Sequence, residues 1–284
     1  MLARGAKGSE VVALQEKLLA LNYKLPRWGA DGGLGNETLD AVTRLLADHA
    51  VGYHDDDRNV VSDHELDIVQ QLFAATQVEL EPPGLMFYDQ RAKAAGGCFG
   101  GRRAWSQITG ITLHQTACDF GHEKPDRWDT LHAHVGASRE GNVFWIYDFE
   151  LVVWHGNELN GPTVGLECEG NYCGVVGDVT TRWQPGGGTA MVVTPELVYA
   201  AQEAIRWICQ VVAQHGGMVQ NLYAHRQTAA SRRADPGQEL WQQVAIPMIE
   251  ALGLTDGGPT FKIDNGRPIP SMWNLDPAYA DNAY

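Results

Sequence analysis

Three stretches of the chain carry side chains that could hold a metal ion. Residues 108–117 read Ile-Thr-Gly-Ile-Thr-Leu-His-Gln-Thr-Ala, a short apolar and β-branched run that delivers His114 near its end. A strand fixes the backbone, so such a ring needs little further ordering to bind. Residues 222–226 read Leu-Tyr-Ala-His-Arg and offer His225; residues 232–237 read Arg-Arg-Ala-Asp-Pro-Gly and offer Asp235. Two imidazoles and one carboxylate are a zinc-ligand set of the catalytic kind, with the fourth position left to water. Each residue also has a plainer reading. His114 could be a polar strand end, His225 a core histidine, and Asp235 a helix cap before Pro236-Gly237. His114 lies far from the other two in sequence, so spacing alone leaves the choice open.

Composition narrows the class. The chain has 284 residues, 44% hydrophobic and 20% charged, enough for one large folded domain and a small one. No apolar run approaches the ~20 residues of a membrane helix. The first residues, Met-Leu-Ala-Arg-Gly-Ala-Lys-Gly-Ser-Glu, lack the apolar core of a signal peptide. A protein made in the cytoplasm, with no membrane partner, is therefore expected. The net charge of −14 argues against a nucleic-acid partner, which would want a basic face. The cysteines (Cys98, Cys118, Cys168, Cys173 and Cys209) are odd in number and contain no Cys-x-x-Cys pair. Thiols are expected, with Cys168–Cys173 the one pair to check.

The elements that must position these residues follow from periodicity. Residues 9–21 place Val11, Leu14, Leu18 and Leu21 on one helical face, and Asn36 can cap a second helix carrying Leu39, Val42, Leu45 and Leu46. Ser62 and Glu65 form a capping-box pattern at the start of a third helix. The acidic run Asp55–Asp57 lacks the spacing of a calcium loop and reads as a solvated turn. Residues 77–95, with Glu-Pro-Pro-Gly at 81–84, read as a linker. Residues 133–138 and 143–147 flank a turn and predict a β-hairpin. Residues 162–169 predict a strand whose alternation puts Glu167 and Glu169 on one face. Thr194-Pro195-Glu196 opens a long helix reaching about residue 214. A last helix is expected at about 238–252, followed by an irregular tail from 256 to 284.

The ordered motifs Thr-Leu-His-Gln-Thr-Ala, Thr-Val-Gly-Leu-Glu-Cys-Glu-Gly (163–170), Ala-His-Arg and Ala-Asp-Pro-Gly resemble the zinc-dependent N-acetylmuramoyl-L-alanine amidases that share a fold with peptidoglycan recognition proteins. The resemblance covers about residues 97–252. It implies an α/β fold with a mixed central sheet flanked by helices, and Zn2+ held by His114, His225 and Asp235. It makes Glu167 the catalytic base, with Glu169 the alternative on strand geometry alone. Arg233 stands where the family often has a lysine; an arginine stays charged and offers donors to an oxyanion, but is a poor proton donor. Ala133 stands where some members have a tyrosine. Trp154, His155 and Asn157 match a groove-lining segment and are candidate substrate contacts, with a structural role for Trp154 equally open. His134 is expected near the site and off the metal.

The N-terminal part, with Gly8, Val11, Leu14-Gln15, Leu18, Asn22-Tyr23, Asp31-Gly32, Gly35, Thr38 and Ala41-Val42, resembles a three-helix peptidoglycan-binding domain. The implied organisation is a binding domain at 1–76, a linker at 77–95, a catalytic domain at 96–255 and the tail. The implied activity is hydrolysis of the bond between N-acetylmuramic acid and L-alanine by a monomeric, endolysin-like enzyme acting on the bacterial cell wall. A secreted antibacterial amidase, a zinc peptidase of the stem peptide and a non-catalytic peptidoglycan sensor are the alternatives.

Overall fold

The computed structural model describes residues 1–21, 23–48, 59–77, 85–94, 96–120, 125–183 and 189–284. Asn22, the run Asp55–Asp57 and the Glu-Pro-Pro-Gly segment lie outside the described residues. The chain divides into two compact units, the first built on Met1–Glu79 and the second on Leu80–Ala213 and Gly217–Tyr284.

The first unit holds strand β1 (Leu2–Ala3), helix α1 (Ser9–Ala20), helix α2 (Asn36–Asp48), strand β2 (Val60–Val61) and helix α3 (Asp63–Gln77), with β1 and β2 paired antiparallel. Val11, Leu14 and Leu18 of α1 bury against Leu39, Val42, Leu45 and Leu46 of α2, as their helical spacing requires. The capping box forms: the Ser62 amide donates to Glu65, and the Glu65 amide donates to the Ser62 hydroxyl. Gln15 is the polar knot of this unit. Its side chain is 1% exposed, donates to Asp31, Thr38 and the Gly33 carbonyl, and accepts from the Gly32 amide. That explains why Gln15, Asp-Gly and Thr38 belong together in the sequence.

The second unit is organised on a six-stranded mixed sheet. In chain order its strands are β3 (Met86–Asp89), β5 (Gly110–Gln115), β6 (Val135–Ala137), β7 (Asn142–Trp145), β9 (Thr163–Cys168) and β12 (Asn221–Ala224). Two ribbons stand apart, β4 (Phe99–Arg102) with β8 (Leu151–Val153), and β10 (Cys173–Val175) with β11 (Asp178–Arg182). The sheet order is β12-β5-β9-β6-β7-β3, parallel except for the β6–β7 hairpin. Strand alternation splits the two central strands between two tasks. Ile111, Leu113, Val164 and Leu166 enter the main core with helix α4 (Pro195–Gln214), whose Leu197, Ala201, Ala204, Ile208 and Val211 are buried there. Thr112, His114, Thr163, Gly165 and Glu167 fall in the alternate positions. Thr194 caps α4 by accepting from the Leu197 amide.

Two expectations change. The segment 77–95 is not only a linker, because Met86–Asp89 is the edge strand paired with β7, and its Phe87 packs on Trp145 and Trp207. The run is aromatic and strand-prone, but four residues show too little alternation to be read. The tail is irregular in backbone, apart from the turn Pro277–Tyr279, yet it is core: Ile269 and Trp273 are fully buried with α4 and the helical residues 238–252. The latter stretch is helical as expected, with a π turn at Trp241–Ala245. None of the five cysteines is in a disulfide. Among the described residues, no helix is long and apolar enough to cross a membrane.

Replacing Gln15 by leucine should strand the buried Gly32 amide and cost about 1–3 kcal/mol. Urea unfolding of the full chain should show this as a lowered midpoint; an unchanged midpoint would mean that the Gln15 knot contributes nothing.

Candidate metal centre

The three candidate ligands, far apart in sequence, converge at the carboxyl ends of the parallel strands, where open α/β sheets place ligands. His114 is the fifth residue of β5, His225 directly follows β12, and Asp235 lies on the loop after it. His114 Nδ1 is 3.0 Å from His225 Nδ1 and 3.7 Å from Asp235 Oδ2; His225 Nδ1 is 3.0 Å from Asp235 Oδ2. Among the described residues these three form the one group of histidine, cysteine and carboxylate atoms arranged to share an ion. Atoms about 2.0–2.1 Å from a tetrahedral zinc are about 3.4 Å from one another, so the donor set fits that metal in kind and in spacing. All three side chains are buried. Burial pushes the His114 pKa down to about 4, which keeps the ring neutral. Burial pushes the Asp235 carboxyl up, but the two imidazoles more than reverse this and hold it well below its ordinary range.

Local structure aims each ligand. The β5–β12 pairing brings Ala224 level with Leu113, so His225 leaves its strand beside His114. Asp235 accepts from the Gln115 amide through Oδ1, leaving Oδ2 for the centre. The Gln115 side chain donates to the Ala234 and Tyr172 carbonyls and accepts from the Tyr172 amide, which ties the end of β5 to the Asp235 loop. Arg226 is fully buried between His225 and this loop. It donates to the Arg233 carbonyl, and its guanidinium lies over the rings of Trp273 (4.8 Å) and Tyr284 (5.2 Å). Its Nε and Nη2 have no hydrogen-bond partner, so the aromatic faces carry the buried charge. The residues after 255 also grip the loop through the Ile263 and Arg267 amides, which donate to the Gln227 and Arg226 carbonyls. Gln115, Arg226 and the tail escaped the sequence reading; an unpaired arginine next to a ligand histidine was their one visible sign.

Glu167 stands directly across from His114 in the β5–β9 register. Its Oε2 is buried without a partner. Burial first, then the Asp235 charge, push its pKa well above the ordinary value, and the charge of Arg232 opposes them. Glu169 is occupied elsewhere: its two oxygens accept from the Phe120 and Arg139 amides. Arg233 is exposed, with its guanidinium over the Tyr284 ring at 5.6 Å. The arginine whose charge reaches both Glu167 and His114 is Arg232, seated over Trp183 at 4.2 Å. The family resemblance picks out its neighbour Arg233.

The segment after β8 splits into exposed and buried parts. Trp154 is 53% exposed and Asn157 is exposed, whereas His155 is 7% exposed and points inward. Its Nδ1 is 3.0 Å from His114 Nε2, and its Nε2 is 3.3 Å from the Thr163 carbonyl oxygen. A buried ring behind a ligand cannot touch substrate, so the groove contact expected of His155 gives way to a position behind His114. His134 is buried and off the metal set: its Nδ1 accepts from the Gly165 amide and its Nε2 lies 2.9 Å from the Leu151 carbonyl oxygen.

Residues 104–238 match the family model for N-acetylmuramoyl-L-alanine amidases. Over 45 residues the chain is 51% identical to the N-acetylmuramoyl-L-alanine amidase CwlL of Bacillus licheniformis, which is 16% of this chain and 12% of that protein. A probable N-acetylmuramoyl-L-alanine amidase of the same organism is 47% identical over 45 residues, 16% of this chain and 13% of its own. Among solved structures, the endolysin amidase LysCS of Clostridium intestinale is 13% identical with a TM-score of 0.38, covering 59% of this chain and 95% of its own. The Ph2119 endolysin of a Thermus scotoductus bacteriophage is 17% identical with a TM-score of 0.34, covering 53% and 91%.

His114→Ala, His225→Ala and Asp235→Ala should each lose zinc on dialysis, measured as metal content per chain. Stoichiometric zinc retained by any one of them would remove that residue from the ligand set.

Proposed function

We propose that the chain, whose residues 104–238 match the N-acetylmuramoyl-L-alanine amidase family model, is a zinc-dependent hydrolase of peptidoglycan that cuts the amide between N-acetylmuramic acid and L-alanine. The observation that carries the reading is the convergence of His114, His225 and Asp235 beside Glu167, whose buried Oε2 has no hydrogen-bond partner. Zinc held by the three ligands would polarise the scissile carbonyl and make water acidic enough to attack it.

The remaining steps fall to side chains. Glu167 takes the proton of the attacking water and passes it to the departing nitrogen, which a carboxylate with raised proton affinity can do in both directions. The fixed charge of Arg232, felt at both His114 and Glu167 and seated over Trp183, would stabilise the negative charge that builds up on the carbonyl oxygen. Trp154 and Asn157, exposed on either side of the buried His155, supply the wall that receives the glycopeptide. The first unit holds the enzyme on peptidoglycan, consistent with its Gln15, Asp31 and Thr38 motif. A wall-lytic role of the endolysin kind is the biological setting that this assigns.

Mass spectrometry of digested peptidoglycan should show stem peptides beginning at L-alanine beside peptide-free glycan, both abolished by a chelator. Shortened stems with intact lactyl-peptide bonds would replace the amidase reading with a peptidase. Glu167→Gln should keep its zinc and lose at least about 100-fold in kcat; an active variant would exclude Glu167 as the base. Arg232→Ala should lower kcat by at least about tenfold, and Arg233→Ala by much less. The reverse order would restore the oxyanion role to Arg233.

A further inference from the structure

Three imidazoles lie in a row behind the metal centre, and a single carbonyl oxygen fixes how the first two share their protons. The Thr163 carbonyl can only accept, so His155 Nε2, 3.3 Å away, must carry a proton and donate. His155 is buried with its ring 5.2 Å from that of His114 and 5.5 Å from that of His134, and a neutral imidazole carries a single ring N–H, which the Thr163 carbonyl takes. Its Nδ1 is therefore a bare acceptor. That nitrogen faces His114 Nε2 at 3.0 Å, so the His114 Nε2–H donates to it. The one nitrogen of His114 left with a free lone pair is Nδ1, the atom that meets His225 and Asp235.

The seat for the His155 ring is built. A Cβ on Gly165 would lie 2.7 Å from His155 Cγ, so only glycine at that strand position admits the ring. The Asn160 side chain accepts from the His155 and Gly156 amides and fixes the backbone that delivers it. The other ligand histidine has no such support, because His225 Nε2 is buried without a hydrogen-bond partner.

We infer that His155 is a positioning residue that sets the tautomer and ring orientation of His114, so that His114 binds the metal through Nδ1. The inference rests on the zinc reading of His114, His225 and Asp235. Partners behind a ligand histidine are worth about 10- to 100-fold in metal affinity. His155 directly follows a proposed groove contact: Trp154 and Asn157 are exposed, while His155 turns inward to serve the metal.

The test uses the full chain and zinc alone, with affinity read by competition against a chromophoric chelator. His155→Phe keeps a ring in the seat and removes the acceptor; zinc affinity should fall about 10- to 100-fold. His155→Asn restores an oxygen near the place of Nδ1 and should recover most of that loss. A phenylalanine variant that binds zinc as tightly as the unaltered chain would overturn the inference, as would an asparagine variant no better than phenylalanine. If the variants do not fold, nitrogen-15 ring spectra of the unaltered zinc-loaded protein decide instead. A protonated His114 Nε2 with metal-shifted Nδ1 is expected, and metal on Nε2 would overturn the inference. An unaltered chain that binds no zinc would overturn the metal reading itself, and this role with it.

Discussion

Two imidazole nitrogens and a carboxylate oxygen sit 3.0–3.7 Å apart inside the second unit, and much of that unit serves to keep them there. Lone pairs brought this close in a desolvated place repel unless a proton or a cation lies between them. Such an arrangement cannot assemble by local preference. The parallel pairing of β5 with both β9 and β12 fixes three backbones in register, and those backbones point His114, Glu167 and His225 at one spot. Side-chain period does the rest. Strand positions alternate between an apolar core shared with α4 and the positions that carry the chemistry, so one six-residue strand serves both.

Polar groups buried near the centre are paired where pairing matters for aim. Gln115 fastens the Asp235 loop to the end of β5, and the Gln115 amide occupies Asp235 Oδ1, so one carboxylate oxygen remains. The Thr163 carbonyl fixes His155, and His155 fixes His114. Besides His225 Nε2 and two nitrogens of Arg226, the Glu167 Oε2 has no hydrogen-bond partner. An unsatisfied buried carboxylate is costly in a structural residue. Opposite a candidate ligand set it is the state that a group exchanging protons with a reactant would have.

The candidate ligands were legible in the sequence because the motifs that carry them resemble those of a known family: His114 closes a β-branched run, and His225 and Asp235 sit in compact motifs, although spacing alone did not bring the three together. The helices of the first unit were legible for the same reason, since 3.6-residue spacing and the Ser62–Glu65 box are local patterns. What sequence could not give was whatever depends on which way a side chain turns. His155 directly follows the exposed Trp154, and only the glycine across the sheet, Gly165, tells that its ring goes inward. Arg232 and Arg233 are adjacent and chemically identical; the family resemblance picks out Arg233, while the arginine whose charge is felt at Glu167 is Arg232. The strand Met86–Asp89 was missed because its pairing with β7 is a tertiary fact, not a pattern four residues long can display.

The residues after 238 show how far a ligand loop can depend on distant chain. They fall outside the stretch that matches the amidase family, yet Trp273 and Tyr284 sandwich Arg226, the neighbour of His225. A fully buried guanidinium with two unpaired nitrogens would ordinarily be a liability. Burial lowers its pKa only to about 10, so it stays charged, and a desolvated cation between two aromatic faces can gain about 2 kcal/mol from each. The bond from Arg226 to the Arg233 carbonyl, with the backbone bond from the Arg226 amide to the Asp235 carbonyl, converts that charge into a brace across the loop that bears both His225 and Asp235. The composition of the segment, rich in Gly, Pro, Asp and Asn, suggests a loose end. Its few large side chains instead make it part of the scaffold on which two of the three ligands depend.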